Sequence, residues 1–163
     1  PLHELAPLDL TVDGADEIDP DLRLIKGLGG ALLREKMVAQ ASSRMVVIAD
    51  GSKTVTVLGE RAPVPVEVVP FAWESHLPFL EELGGRPVLR RTDDGEPLVT
   101  DNGNHVVDCR FPDGIDDPEG LEDAMRARAG VVESGLFLGL ATEAVVADEA
   151  GVRVLTPVQR SDR

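Results

Sequence analysis

The chain has 163 residues, enough for one domain or two small ones, and 42% of them are hydrophobic, which permits a buried core. Aromatic residues make up only 3% and the formal net charge is −14, so base stacking is disfavoured and nucleic acid and anionic membranes are repelled. We therefore expect neither nucleic acid nor a membrane as a partner, and an anionic ligand would need a local basic pocket.

The first predicted elements are two short strands joined by an acidic turn. Residues 8–12 read Leu-Asp-Leu-Thr-Val and predict a short buried strand, followed by the turn Asp-Gly-Ala-Asp-Glu at 13–17. A second apolar piece over 22–25 ends in Lys26. One short segment therefore offers both carboxylates and an ammonium group.

A glycine-rich loop leads into the first long helix. Residues 27–30 read Gly-Leu-Gly-Gly, and the apolar pattern after them predicts a helix over 31–43. Glycines at a helix start let the backbone approach a ligand, and the free N–H groups there favour anions. The loop is therefore a candidate cradle for a phosphate-sized group.

Glu35 is the most informative residue of this helix. Its neighbours on the helix face, three and four residues away, are all apolar: Ala31, Leu32, Val38 and Ala39. A carboxylate in such surroundings is harder to ionise than one in water, which suits a general base working near neutrality. Alternatively, Glu35 points to water along the one open stripe of the helix, and spacing alone leaves both interpretations open.

The next predicted strand is a continuous apolar run over 45–49, as expected for a parallel strand covered on both faces. An Asp-Gly pair follows, and Lys53 comes shortly after it. Ligands of open α/β sheets bind at the carboxyl ends of the strands. Because Asp13, Lys26 and Lys53 all follow such ends, we expect the three to converge.

From residue 63 onward the predicted order is β-α-β-β-α-β, which is typical of a ferredoxin-like unit. The strands are predicted at 64–69, 87–91, 105–109 and 131–137, and the helices at 75–83 and 119–128. Pro65 indicates that its strand is an edge strand or begins there. Two further strands, at 143–148 and 152–155, are expected to return to the first sheet.

The sequence thus predicts an α/β chain with two domains. A Rossmann-like, open and mostly parallel sheet is expected in residues 1–62 and 138–163, and a smaller ferredoxin-like α+β domain in 63–137. The histidines are scattered and the acidic turn lacks the spacing of a calcium loop, so we expect no metal.

The motifs resemble the type A ribose-5-phosphate isomerase family. That family carries an Asp-Gly-Ala-Asp-Glu box, a Lys-Gly-x-Gly loop and an Arg-Glu-Lys helix, in the order and at the spacing seen here over 13–36. Further matching blocks lie at 48–53, 65–68, 83–87, 101–104 and 130–137. Ordered blocks of this kind are far more specific than a single glycine loop, and the resemblance runs from about residue 8 to residue 155.

The resemblance implies an enzyme of the non-oxidative pentose phosphate pathway that interconverts ribose 5-phosphate and ribulose 5-phosphate without a cofactor. It implies that Glu35 transfers a proton between C2 and C1 through a cis-enediolate, with Asp13 and Lys26 as the other catalytic residues. The substrate-binding residues that it implies are Asp13, Gly14, Ala15, Asp16, Lys26, Gly27, Leu28, Gly29 and Lys53.

Several roles stay open at this stage. Lys26 and the amides of the glycine loop would suit either the oxyanion or the phosphate. Asp13 could form an Asx turn, Asp16 could be an exposed carboxylate, and Lys53 could be a solvated surface lysine. Glu17 and Asp19 are interpreted as loop charges. The polar block at 101–104 is expected to form a turn or a subunit contact.

The resemblance also implies a homodimer or homotetramer, and we expect a cytoplasmic protein because Cys109 is the single cysteine. Family members begin with a strand and a phosphate-binding loop that do not precede Pro1 here. We therefore expect the strands at 8–12 and 45–49 to be exposed and the chain alone to have little activity. The alternatives are a sugar-phosphate sensor without turnover and an inactive fragment.

Overall fold

The computed structural model describes residues 2–157. Its four α-helices are α1 Leu2–Leu5, α2 Leu32–Gln40, α3 His76–Glu82 and α4 Pro118–Arg126. Its strands are β1 Thr11–Asp13, β2 Glu17–Ile18, β3 Leu24–Ile25, β4 Met45–Asp50, β5 Val64–Val68, β6 Arg86–Leu89, β7 His105–Arg110, β8 Val131–Ser134, β9 Leu136–Phe137, β10 Glu143–Asp148 and β11 Gly151–Leu155. None of the helices within residues 2–157 is long and apolar enough to cross a membrane.

The first sheet has the order β1-β4-β10-β11, in which β1, β4 and β10 are parallel and β11 is antiparallel. Alternate side chains of β4 and β10 point into a core that Met45, Val47 and Val146 share with the buried Phe137. A strand does form where one was predicted at 8–12, but it lies later in the chain. Leu8 forms only an isolated bridge, and regular pairing begins at residue 11.

The second sheet is small and has the order β2-β3-β9, with antiparallel pairing throughout. The segment predicted as extended at 131–137 is indeed extended, but it is divided into two strands, because β8 and β9 belong to different sheets. The change of sheet occurs at Gly135, where a Cβ atom would lie 2.2 Å from the carbonyl oxygen of Lys26. Only glycine lets these two segments of the chain approach each other so closely.

The third sheet has the order β6-β7-β5-β8 and is antiparallel, and α3 and α4 complete the predicted β-α-β-β-α-β order. The sequence predicts that Pro65 marks an edge strand or a strand start. The edge position is wrong, since β5 lies between β7 and β8 and is buried throughout, whereas Pro65 does lie next to the first residue of β5, Val64. Pro65 fits there because the ladder with β8 starts one residue later, at Val66, and its own carbonyl accepts the N–H of Gly135 at 2.7 Å.

Helix α2 is shorter than the predicted 31–43. It ends at Gln40 because the N–H of Ser42 turns back to Ala39 and the N–H of Ser43 bonds the carbonyl of Leu8, outside the helix. The division into domains at 62/63 and 137/138 stays a prediction, and its residues 1 and 158–163 lie outside the described residues. The predicted fold class, a mixed α/β chain with one mostly parallel sheet, is confirmed.

Candidate active site

The buried ammonium group of Lys26 lies at the centre of the site. Its Nζ lies 2.9 Å from Oδ2 of Asp13 and 3.2 Å from Oε2 of Glu35, and it donates a hydrogen bond to the carbonyl of Gly14 at 2.7 Å. A lysine has three ammonium protons, and of these contacts only the one with the Gly14 carbonyl has hydrogen-bond geometry, while the two carboxylates lie at ion-pair distance. Two carboxylates and one ammonium therefore share the site, with negative charge in excess.

Three separate elements bring these groups together. Strand β1 ends at Asp13, Lys26 follows β3, and α2 carries Glu35. The backbone N–H of Lys26 donates to the carbonyl of Gly135 at 2.9 Å, which fixes the start of the loop against the turn between β8 and β9. The structure thus brings Asp13 and Lys26 together as expected, and adds Glu35 to them.

The surroundings of Glu35 differ from the apolar ones that helix spacing indicates. A cation from another element, Lys26, is within ion-pair distance, and the side chain is 29% exposed. Apart from this ion pair, Oε2 is buried and makes no hydrogen bond of good geometry within residues 2–157. Because Oε2 is buried against Lys26, the exposed part of the carboxylate is what a bound substrate could reach, and a carboxylate there could accept a proton.

Backbone geometry explains the glycine loop at 27–30. Gly27 has φ +101°, and a Cβ there would lie 2.7 Å from Cβ of Leu32, so the position requires glycine. The N–H of Leu28 donates to Oδ2 of Asp16 at 3.0 Å, and the N–H of Gly30 donates to the carbonyl of Gly27 at 2.9 Å. Two loop amides that could bind an anion are thus already occupied, and Asp16 serves to hold the loop.

Arg90 also holds this loop, although the sequence gives no signal for it. Its guanidinium donates to the carbonyls of Gly27 at 3.0 Å and Leu28 at 2.9 Å, and is itself paired with Asp108 of β7. The contact joins residues more than 60 positions apart, so no local motif could reveal it. Within residues 2–157, no group of three or more His, Cys, Asp or Glu side chains is arranged to hold a metal ion.

Residues 1–151 match the family described as ribose 5-phosphate isomerase A (phosphoriboisomerase A). The chain belongs to the ribose 5-phosphate isomerase A family. The resemblance seen in the sequence motifs is therefore confirmed.

Two curated relatives and one solved structure illustrate the similarity. The chain is 52% identical over 155 residues to ribose-5-phosphate isomerase A of Chloroflexus aurantiacus, covering 95% of this chain and 64% of that protein. It is 57% identical over 145 residues to the enzyme of the same name from Roseiflexus castenholzii, covering 89% and 62%. A solved structure of a D-ribose-5-phosphate isomerase in complex with phospho-erythronic acid has a TM-score of 0.91 at 38% identity, covering 95% and 68%. The chain thus spans slightly less than two thirds of the length of these two curated relatives.

In this member of the ribose 5-phosphate isomerase A family, Lys53 forms neither a hydrogen bond nor an ion pair with Asp13 or Lys26 among residues 2–157. It lines a neighbouring cavity of about 460 Å³, whose other lining residues include Asp16, Leu28, Arg61 and Arg110. The expected convergence is seen for Asp13 and Lys26, while Lys53 lines a basic cavity together with Asp16 and Leu28. The two arginines were not singled out from the sequence, because neither lies in a matching block.

Two acidic residues interpreted as loop charges are instead buried in this isomerase-family chain. The carboxylate of Glu17 accepts hydrogen bonds from the backbone N–H groups of Gly59, Arg61 and Ala62, each at 2.6 Å. Asp19 accepts the N–H of Arg23 at 2.8 Å and pairs with its guanidinium at 2.6 Å. Both carboxylates organise loops, because several donors offset the cost of burying the charge.

Proposed function

We propose that this chain carries the proton-transfer centre of a ribose-5-phosphate isomerase, which interconverts ribose 5-phosphate and ribulose 5-phosphate. The observation that carries the proposal is the contact of Glu35 and Asp13 with the buried ammonium of Lys26, in a chain of this family. A carboxylate base beside a fixed cation is the arrangement that an aldose–ketose isomerisation needs.

In this proposal Glu35 removes the proton from C2 of the open-chain sugar. The electron pair of the C2–H bond forms the new C1–C2 double bond, and the π pair of the carbonyl moves to the aldehyde oxygen, which gives a cis-enediolate. Glu35 then returns the proton to C1, while the hydroxyl on C2 becomes the ketone and its proton passes to the oxygen on C1. Every hydrogen and electron stays within the substrate or returns to it, so the step needs no redox cofactor.

Lys26 is proposed to stabilise the enediolate oxygen rather than the phosphate. Two carboxylates and a carbonyl already surround its ammonium, so little net positive charge is left for a distant dianion. A developing oxyanion close to Nζ would still gain a preorganised donor. Asp13 holds Lys26 in place and is proposed to accept hydrogen bonds from sugar hydroxyls.

The remaining substrate contacts are proposed around this centre. Lys53 would attract the phosphate, and the backbone of Gly14, Ala15 and Gly27–Gly29 would line the sugar, with Asp16 beside them. The complex of the related isomerase with phospho-erythronic acid supports a phosphorylated sugar-like ligand. A homodimer or homotetramer in the cytoplasm completes the proposal.

The test is the variant Glu35→Gln in a form that spans the full length of the relatives. We expect turnover of ribose 5-phosphate to fall by about 10²–10⁴-fold or more, because the amide cannot accept the C2 proton. Substrate binding, measured by calorimetry, should stay within about tenfold, since the shape of the side chain is kept. Near-normal turnover would refute the assignment, and binding without turnover in the unaltered protein would favour a sugar-phosphate sensor instead.

A further inference from the structure

Both sequence neighbours of Glu35 reach from α2 to the part of the chain that forms the third sheet. The buried Nζ of Lys36 lies 2.6 Å from Oε1 of Glu133 on β8 and 3.2 Å from Oε1 of Glu122 on α4. It also lies 5.1 Å from the centre of the Phe137 ring, and Nζ of Lys26 lies 5.4 Å from the same ring. A shift of Lys36 would therefore also change the surroundings of Lys26, because both ammonium groups lie against the Phe137 ring.

Arg34 makes the second connection, on the other side of Glu35. Its guanidinium donates to Oδ2 of Asp101 at 2.7 Å, to the carbonyl of Asp101 at 2.8 Å and to Oδ1 of Asn102 at 3.1 Å. Three contacts to two adjacent residues fix the planar group in direction as well as position. Yet Arg34 is 53% exposed, so its ion pair adds little to stability.

The loop that receives Arg34 is itself held by a buried carboxylate. Oε1 of Glu67, on β5, accepts hydrogen bonds from Oγ1 of Thr100 at 2.9 Å and from the side-chain amides of Asn102 at 3.0 Å and Asn104 at 2.8 Å. Glu67 is fully buried, and a carboxylate in that position is costly unless its donors stay in place. The turn predicted at 101–104 is thus present, and Glu67 holds it against β5.

We propose that Arg34 and Lys36 are positioning residues that set the direction of Glu35, with Glu67 as the buried anchor for Arg34. Successive residues on a helix point about 100° apart, so fixing the residues on both sides of Glu35 fixes the rotation and the height of this part of α2. Glu35 needs such support because its own ion pair with Lys26 leaves its side chain partly exposed. A displacement of about 1 Å at a catalytic group can cost about 10²-fold in rate.

The inference rests on the proposed function, and its first experiment uses Arg34→Ala in the full-length protein. We expect kcat to fall by about tenfold or more while KM and the melting temperature change little, because the lost contacts orient the base without binding substrate. The matched control is Arg44→Ala, which removes an equally exposed arginine paired with Glu143. The control should leave kcat unchanged.

Coupling and rescue provide the readouts that a merely structural role would not give. The effects of Arg34→Ala and Asp101→Ala on kcat should be strongly non-additive, because both break the same connection. Glu67→Gln keeps an acceptor oxygen for the loop and should retain more kcat than Glu67→Leu. For Lys36, the double variant Lys36→Met/Glu133→Gln avoids leaving that carboxylate as an unpaired charge and should again lower kcat more than it raises KM.

The outcomes separate this inference from the function on which it rests. If the unaltered protein turns over and Glu35→Gln abolishes turnover, but Arg34→Ala keeps full kcat or its effect simply adds to that of Asp101→Ala, the positioning role is refuted and the function stands. A selective loss of kcat with non-additive coupling supports it. If Lys36→Met/Glu133→Gln does not fold, the kinetics of Arg34→Ala and Asp101→Ala still decide whether the positioning role is correct.

Discussion

Lys26 and Lys53 illustrate how burial and neighbours divide roles between two residues of the same type. Lys26 is buried and surrounded by Asp13, Glu35 and a carbonyl, whereas Lys53 lines a cavity with two arginines. In a chain with a net charge of −14, a group of three cations around one cavity is the better place for a phosphate. The short-range donor role is the one we propose for Lys26.

We therefore predict that Lys26→Met and Lys53→Met impair different kinetic constants. The first should lower kcat by about 10²–10³-fold, as expected when a donor to a developing oxyanion is lost, with inhibition by inorganic phosphate nearly unchanged. The second should weaken phosphate inhibition by about tenfold and raise KM, with a smaller effect on kcat. Steady-state kinetics with phosphate as competitor measures both. The same loss of phosphate inhibition in the two variants would contradict the division of roles.

The residues proposed for proton transfer could be singled out from the sequence, whereas the residues that reach them through distant contacts could not. Asp13, Lys26 and Glu35 lie within 23 positions and follow recognisable strand and helix ends. Arg90, Glu67 and the partners of Lys36 come from segments about 30 to 100 positions away, and a charged residue in a sequence carries no mark of its partner. Burial of Glu17 escaped prediction for the same reason, because its donors lie at Gly59, Arg61 and Ala62.

At the scale of elements, the period of apolar residues indicated most strands and helices, while tertiary contacts decided their ends. The β-α-β-β-α-β order could be predicted because the apolar residues of each element repeat with the period of a strand or of a helix. The position of β5 inside its sheet was not, because only the register with β8 shows that Pro65 leaves no unmet hydrogen bond. Helix α2 likewise ends where the N–H of Ser43 donates to the carbonyl of Leu8 instead of continuing the helix.

Helix α3 provides a prediction about the pH dependence of stability. Its first residue, His76, is buried, and burial together with the nearby charge of Arg128 lowers the pKa of its imidazole below the ordinary value of 6.5. As the pH falls through 6.5, His76 of the unfolded chain is protonated while His76 of the folded chain stays neutral, which favours the unfolded state. The contribution of His76 to stability is therefore present above this pH and is lost below it.

We expect the free energy of unfolding of the unaltered protein to fall more between about pH 7.5 and pH 5.5 than that of His76→Gln, which cannot take up this proton. Urea unfolding at the two pH values measures the difference. The exposed His3 provides the control, and His3→Gln should keep the pH dependence of the unaltered protein. Parallel pH profiles for the unaltered protein and His76→Gln would show that burial of His76 does not oppose its protonation.

At the scale of the whole molecule, the first sheet has two unlike faces. Met45, Val47 and Val146 point into the core on one side. On the other side an apolar surface, made by Val12, Ile48, Val152 and Val154, has side chains that are between 53% and 71% exposed. The register places them on one face, because Ile48 lies opposite Val145 and Val145 opposite Val154. Contiguous apolar surface of this kind is unfavourable in water and promotes association.

We predict that residues 1–163, made as they stand, bind a hydrophobic dye and self-associate through this apolar surface. The variant Ile48→Thr/Val154→Thr should reduce both effects, because threonine keeps the strand preference while adding a hydroxyl to the surface. Phe71→Ser is the matched control, since Phe71 is 88% exposed but follows β5 of the third sheet and is not part of the first. Dye fluorescence and light scattering at micromolar concentration measure the result. If Phe71→Ser reduces association as much as the double threonine variant does, general surface hydrophobicity and not the sheet face is responsible.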